Sequence, residues 1–177
     1  MRGEIQSIIH MIIQFSDLTS AKKRNKEINV TYDLLTPIKF GGEEIKTKEA
    51  IKAVGNINST DDILTIKASV KTVLELKCSR CLDTFIYPID IDIEERFTNN
   101  DEYRESEEVV FVDSDTLDIA QVVESQIVST LPIKRLCKDD CNGLCQQCGN
   151  NLNQDACQCM TNNVDLRLAK LQELFGN

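Results

Sequence analysis

Cysteine is the residue type that most constrains this chain, which has eight of them. Six lie between residues 137 and 159, and two more form the Cys-Ser-Arg-Cys motif at residues 78–81. Two residues between paired thiolates allow one tight turn to present both sulfurs to a single ion, as in a zinc knuckle. Gly149 follows such a pair and tolerates the positive φ that the turn requires. The sequence therefore predicts two structural zinc ions bound by Cys78, Cys81, Cys137, Cys141, Cys145, Cys148, Cys157 and Cys159.

Spacing alone leaves three groupings of these thiols open. The grouping that we favour gives one ion to the last four cysteines and joins Cys78 and Cys81 to Cys137 and Cys141 around the other. A second grouping combines the two CxxC motifs around one ion, and a third has a single zinc with spare thiols. A zinc ion with four thiolate ligands has no open position for water or substrate, so any of these sites would be structural.

The charge of the chain limits how it could bind a partner. It has 29 acidic and 20 basic residues and a formal charge of −9. Two four-thiolate zinc sites would bring the total to about −13, since each adds about two negative charges. Binding RNA through a general electrostatic field needs a basic face. An RNA contact therefore requires a local basic patch, and otherwise the partner is a basic protein.

Basic residues close to the thiols are the candidates for such a patch. The residues that we expect to contact RNA or a protein partner are Arg80, Lys134, Arg135 and Lys138. The basic run Lys22–Lys26 is a second candidate, although charge runs are usually solvated loops. An alternative interpretation is that the basic residues near the thiols only balance thiolate charge.

Hydropathy and cysteine usage indicate a cytoplasmic protein. The apolar residues 8–13 are broken by His10 and no cleavage site follows them, so we expect no signal peptide. No run reaches the ~18 apolar residues of a membrane span. Reduced thiols in the cytoplasm are available for zinc. With His10 as the single histidine and no Gly-rich phosphate loop, we expect no enzyme and no small-molecule substrate.

Alternation of apolar and polar residues predicts a sheet. Strands are expected at residues 28–34, 49–59, 64–76, 85–93 and, as a short buried strand, 109–112. The third and fourth strands flank the turn at residues 78–81 and form a hairpin with it. Pro88 cannot donate a ladder hydrogen bond, so it indicates an edge strand or a bulge.

Two helices are predicted after these strands. Asp118 suits an N-cap, apolar residues follow at helical spacing from 119 to 131, and Pro132 ends the helix. A second helix is expected at residues 165–175. The thiol segment lies between the two helices in the sequence.

These elements predict an α+β fold. We expect an antiparallel, barrel-like sheet with a packed helix and a C-terminal segment cross-linked by zinc. Residues 1–135 would form the sheet domain with its CxxC hairpin. Residues 136–177 would form the cysteine-rich, zinc-binding segment and the terminal helix.

The motifs resemble a known family. Cys78–Leu82 lies between two long strands, and an acidic Glu-Glu-Arg-Phe stretch closes the second strand. The segment from Cys137 to Cys159 and the Asp-x-Arg-Leu-Ala-Lys-Leu pattern at residues 165–171 follow. In this combination the chain resembles the YceD family, the large ribosomal RNA subunit accumulation proteins, in its cysteine-rich form. Gln146 departs from the proline expected at that position and affects no thiol ligand.

The resemblance implies a bacterial, cytosolic factor needed for accumulation of large-subunit ribosomal RNA. It implies a non-enzymatic role in ribosome biogenesis, with large-subunit rRNA or a ribosome-assembly protein as partner and no membrane association. Two alternatives remain. One is an acidic adaptor that binds a basic protein such as a ribosomal protein or a nuclease. The other is a thiol redox sensor, since a cation such as Arg80 near a CxxC pair lowers thiol pKa.

Overall fold

A computed structural model of the chain describes residues 12–20, 25–34, 37–60 and 62–159. His10, residues 22–24 of the basic run and the predicted helix at 165–175 lie outside these ranges. The elements of the described part are, in chain order, β1 (Ile12–Gln14), α1 (Phe15–Ser20), β2 (Asn25–Tyr32), β3 (Ile38–Phe40), β4 (Glu43–Thr60), β5 (Ile63–Lys77), β6 (Thr84–Thr98), a 3-10 turn (Asp101–Tyr103), β7 (Val110–Phe111), β8 (Thr116–Asp118) and α2 (Ile119–Thr130).

Strands β4, β5 and β6 form a long antiparallel meander at the centre of the structure. Strand β5 pairs with β6 from Ile63 opposite Thr98 to Lys77 opposite Thr84. The predicted alternation in β5 is confirmed, because every second residue of the strand faces the core: Leu64, Ile66, Ala68, Val70, Leu74 and Leu76 are all buried. The meander therefore holds the CxxC turn at the end of two paired strands.

Helix α2 supplies the other side of the core. The predicted N-cap is confirmed, since the Asp118 carboxylate accepts a hydrogen bond of 2.9 Å from the Ala120 N–H. The buried side chains of α2 join those of α1 and the meander in one apolar cluster; those from the helices are Phe15, Leu18, Ile119, Val122, Val123 and Ile127. The helix ends before Pro132, as the sequence predicted.

The expected barrel is wrong, although the α+β class is confirmed. The main sheet is open, with strand order β2-β4-β5-β6-β7 and β3 paired to β4, while β1 and β8 form a separate two-stranded sheet. Closure requires the edge strands to pair, and in the described residues β2 pairs with β4 while β7 pairs with β6. The apolar face of the sheet is covered by α1 and α2, so closure is not needed to bury it.

The sheet also differs from an all-antiparallel arrangement. Strand β7 pairs with β6 in parallel, and only through Phe97 opposite Val110 and Thr98 opposite Phe111. Nearer the start of β6, at Pro88, no described strand pairs on the side away from β5. This confirms the expected edge position. None of the helices in the described ranges has the length and apolar character to cross a membrane.

Candidate metal centres

The first centre begins at the tip of the β5–β6 hairpin. The Cys78 N–H donates to the Asp83 carbonyl at 2.9 Å, and the Leu82 N–H donates to the Cys78 carbonyl at 3.0 Å. These bonds close a turn in which the Arg80 N–H points at the Cys78 Sγ, 3.5 Å away. The turn is held by backbone groups, so it presents Cys78 and Cys81 in fixed positions.

The segment after α2 brings two further thiols to this tip. The Ser79 N–H donates to the Arg135 carbonyl at 2.7 Å, and Arg80 Nη1 donates to the Cys141 carbonyl at 2.9 Å. Cys137 and Cys141 are thereby placed opposite the hairpin thiols. We call the set Cys78, Cys81, Cys137 and Cys141 site 1; their sulfurs all lie within 4.8 Å of one another.

Sulfur separations in site 1 suit a tetrahedral ion. Cys78 Sγ lies 3.7 Å from Cys141 Sγ, and Cys81 Sγ lies 3.6 Å from Cys137 Sγ. A tetrahedron with Zn–S bonds of about 2.3 Å has edges of about 3.8 Å. A disulfide would need sulfurs about 2.05 Å apart, and all eight cysteines are free thiols. The residues present therefore fit a four-thiolate metal site.

The second centre is formed within one short segment. The Gly149 N–H donates to the Cys145 carbonyl at 2.8 Å, and Leu144 bridges to Asn151 across the turn. We call the set Cys145, Cys148, Cys157 and Cys159 site 2; its sulfurs also lie within 4.8 Å of one another. The structure thus groups the eight thiols as in the grouping favoured from the sequence, and not by combining the CxxC motifs.

The two centres differ in burial. In site 1, three cysteines are buried and Cys137 is half-buried, with Phe85, Leu136 and Leu144 packed against them. In site 2, Cys145 is buried but Cys148 is exposed. Site 1 is therefore part of the molecule's interior, while site 2 faces solvent.

Both CxxC turns place the residue after the second cysteine in the left-handed region. Gly149 has φ of +75°, as the sequence predicted, and Leu82 has φ of +62°. The Leu82 side chain is 62% exposed, so burial does not offset the strain of this conformation. The equivalent positions of Leu82 and Gly149 indicate that the two turns share one backbone geometry.

Hydrogen bonding favours two thiolates in site 1. Burial raises the pKa of Cys78, but N–H groups of Cys81 and Arg80 outweigh burial and lower the pKa to about 6. Burial is also the main reason that the pKa of Cys81 is raised to about 12. Burial also raises the pKa of Cys141, but hydrogen bonds from Asn153 and Gly143 outweigh burial and lower it. Two thiolates are thus favoured, whereas full ionisation of the four requires the cation itself.

Site 2 also contains thiols with lowered and with raised pKa. The Cys148 N–H is the leading cause that lowers the pKa of Cys145 to about 6. The pKa of Cys159 is raised to about 12, chiefly by its hydrogen bond with Cys148. A divalent ion would remove the repulsion between neighbouring thiolates, so both sites are suited to bind metal.

The basic residues predicted to contact a partner occupy different environments. Arg135 is buried, with Nη1 3.2 Å from the Glu43 carboxylate and its guanidinium 5.6 Å from the Phe40 ring centre. Arg80 lies at the hairpin tip and is hydrogen-bonded to the Cys141 carbonyl. Lys134 and Lys138 are exposed, and Lys138 lies 3.8 Å from Asp140. Arg135 thus fastens the segment after α2 to the β3–β4 turn.

The sequence did not reveal the role of two asparagines between the site 2 ligands. Asn153 Nδ2 lies 3.3 Å from the Cys141 Sγ, and Asn151 Nδ2 lies 2.6 Å from Asp83 Oδ2. From the sequence, these residues only indicate a loop, because asparagine tolerates left-handed and turn conformations. The signal in the sequence was their position among the predicted ligands, because outer-shell hydrogen bonds orient metal ligands.

Comparison with known proteins identifies the family. The protein-family model described as "Large ribosomal RNA subunit accumulation protein YceD" matches residues 66–175, a range that begins within β5 and includes all eight cysteines. The chain belongs to the YceD family. The resemblance drawn from the cysteine motifs is confirmed.

Two curated proteins with similar sequences are described as uncharacterized. Protein Rv2926c of Mycobacterium tuberculosis is 29% identical over 124 residues, which are 68% of this chain and 59% of that protein. Protein YlbN of Bacillus subtilis is 25% identical over 155 residues, which are 86% of this chain and 90% of that protein. The aligned chain thus spans 59% of the length of the mycobacterial relative. No solved structure gives a significant match.

Proposed function

We propose that the protein is a non-enzymatic, cytoplasmic accessory factor for accumulation of large-subunit ribosomal RNA, with zinc at sites 1 and 2. The single observation that carries this proposal is the YceD family match over residues 66–175, which spans both sites. The family description names large-subunit rRNA accumulation. Metal bound at the two sites would hold the segment after α2 against the hairpin tip and so fix the shape of the surface there.

Zinc in this proposal is structural. Bound zinc would supply a cross-link with no open coordination position. At site 1 that cross-link would join the hairpin tip to Cys137 and Cys141, whose backbone already bonds to Arg80. The segment after α2 would then be held against the meander with defined geometry.

The surface proposed to contact rRNA or an assembly protein is the hairpin tip. Arg80 lies at this tip, and Lys134 and Lys138 lie in the segment after α2 that bonds to the tip through Ser79 and Arg135; all three basic residues are exposed. Leu82, at the tip, is 62% exposed, and Ile133, in the segment after α2, is 94% exposed. A small basic surface with aliphatic side chains suits a local contact, which the negative total charge requires.

A second candidate is the acidic adaptor, which a specific observation favours. Of the basic residues near the thiols, Arg135 is buried against Glu43, which reduces the cationic surface left for RNA. The loop at residues 99–108 is largely exposed and contains five acidic residues. A basic protein would bind such a surface by charge complementarity.

A depletion experiment tests the first proposal. In a bacterium that encodes this chain, depletion is expected to lower the ratio of large-subunit to small-subunit rRNA, and the wild-type gene is expected to restore it. A Cys137→Ala, Cys141→Ala variant should restore it poorly, because site 1 would lose its cross-link. An unchanged rRNA ratio on depletion would contradict the proposal.

A pull-down separates the two candidates. Recovery of large-subunit rRNA that falls with salt and with Arg80→Ala would support direct RNA contact. Lys67→Ala, on the outer face of β5 and ion-paired with Glu94 at 2.8 Å, is the matched control that removes one cation elsewhere. Recovery of a basic protein after nuclease treatment would support the adaptor instead.

A further inference from the structure

The loop of site 2 reaches into site 1. Asn153 lies between the site 2 ligands Cys148 and Cys157, yet its amide Nδ2 donates to the site 1 sulfur Cys141 Sγ at 3.3 Å. Its Oδ1 accepts from the Asn142 N–H at 2.9 Å, directly beside that ligand. A residue of the loop between the site 2 ligands therefore contacts a ligand of site 1.

Asn151 aligns Asn153 and connects the loop to the hairpin. Its Oδ1 accepts from the Asn153 N–H at 3.0 Å and from the Asn153 side-chain amide at 2.9 Å. Its Nδ2 donates to Asp83 Oδ2 at 2.6 Å, two residues after Cys81. The Leu152 N–H donates to the Gly143 carbonyl at 2.9 Å. The loop is therefore set against both halves of site 1 by polar contacts.

Little apolar burial holds this loop in place. Residues 149–156 are exposed or half-buried, and none of them belongs to an apolar cluster. Few buried contacts means a low free energy of local opening. An ion at site 2 would join Cys145 and Cys148 to Cys157 and Cys159 and so close the loop that contains Asn153.

We propose that metal binding at site 2 raises the metal affinity of site 1, with Asn153 as the positioning residue that couples them. This inference rests on the proposed zinc sites. An N–H donor stabilises a metal-bound thiolate, and loss of such an outer-sphere partner typically costs 10- to 100-fold in metal affinity. By linkage, an ion at site 1 raises the affinity of site 2 by the same factor.

Metal titration of the full chain tests the coupling. Co²⁺ is the spectroscopic probe and Zn²⁺ is titrated against a chromophoric chelator, with native mass spectrometry to count ions. Asn153→Ala is expected to weaken site 1 by about tenfold or more. Asn150→Ala is the matched control in the same loop, because its amide donates to the Asp155 carbonyl at 3.3 Å and not to a thiol. It is expected to leave site 1 unchanged.

A double-mutant cycle shows whether site 2 acts through Asn153. A Cys157→Ala, Cys159→Ala variant removes site 2 and should weaken site 1 about as much as Asn153→Ala does. The combined variant should then be no weaker than either, because both changes remove one hydrogen bond. Effects that multiply, or a site 1 affinity unaffected by loss of site 2, would overturn the coupling.

A conservative variant separates loss of the hydrogen-bond donor from disruption of the loop. Asn153→Asp keeps the acceptor for the Asn142 N–H but removes the donor and adds negative charge beside Cys141. It should weaken site 1 more than Asn153→Ala, and wild-type affinity in Asn153→Asp would refute the role of the donor. Two ions that bind independently would refute only the coupling, whereas a chain that binds no ion would refute the zinc proposal as well.

Discussion

Removal of site 1 should destabilise the whole sheet, because its cross-link spans a long stretch of chain. The change is Cys137→Ala with Cys141→Ala, which leaves the hairpin turn and its backbone hydrogen bonds in place. Cys81 and Cys137 are 56 positions apart in sequence. The chain-entropy estimate for closing a loop of that length is about 4 kcal/mol. For a domain of this size, each kcal/mol shifts Tm by about 2–4 °C, so the expected fall is about 8–16 °C.

The assay is thermal unfolding of the zinc-saturated protein, followed by far-ultraviolet circular dichroism of the sheet. The matched control is Cys157→Ala with Cys159→Ala, which removes two thiols from site 2. All site 2 ligands lie within residues 145–159, so this loop can open without unfolding the meander, and Tm should fall by far less. Chelation of the wild-type protein should reproduce the site 1 variant. Equal Tm values for both double variants would refute the cross-link argument.

Three further predictions concern stability. Gly55→Ala should cost about 3 kcal/mol in urea unfolding, because its Cβ would lie 2.0 Å from the Lys67 carbonyl oxygen and overpacking that displaces backbone is expensive. Gly41→Ala, with φ of +60° and an open Cβ position, should cost only about 1 kcal/mol, and equal costs would contradict the steric reasoning. Gly149→Ala should likewise cost about 1 kcal/mol in the zinc-loaded protein, and no loss in equilibrium unfolding would contradict a strained left-handed turn. Burial and then Asp118 raise the pKa of Glu124, so its ionised form opposes folding and Glu124→Gln should raise stability near neutral pH. That gain should shrink as the pH falls through the raised pKa and vanish below the ordinary value of 4.5, where Glu124 is protonated in both the folded and unfolded states, and a gain independent of pH would contradict it.

Local patterns predicted the elements that present site 1. The alternation in β5 and the Asp118 cap depend on neighbouring residues, so both can be predicted from the sequence. The same holds for Gly149, whose conformation follows from the turn. Leu82 was missed because its side chain gives no local reason for a positive φ. Its conformation is imposed by the hydrogen bonds that close the Cys78–Cys81 turn.

Contacts between distant segments could not be predicted. Arg135 was expected at the surface because it is charged. It is buried because the segment after α2 places it against Glu43 and Phe40. A barrel-like sheet was expected, whereas the short strand β7 pairs in parallel with β6 and the described sheet is open. Both outcomes depend on how the chain after β6 packs against distant segments, which local periodicity does not specify.

The sequence by itself determined that eight thiols occur and that two pairs of them, Cys78/Cys81 and Cys145/Cys148, have knuckle-like spacing, since that spacing is a property of a few adjacent residues. Only the tertiary structure decided which four sulfurs meet. Site 1 exists because the β5–β6 hairpin and the segment after α2 come together across more than 50 residues. Only the fold placed Asn153 against Cys141, because a hydrogen bond between two loops depends on the position of both.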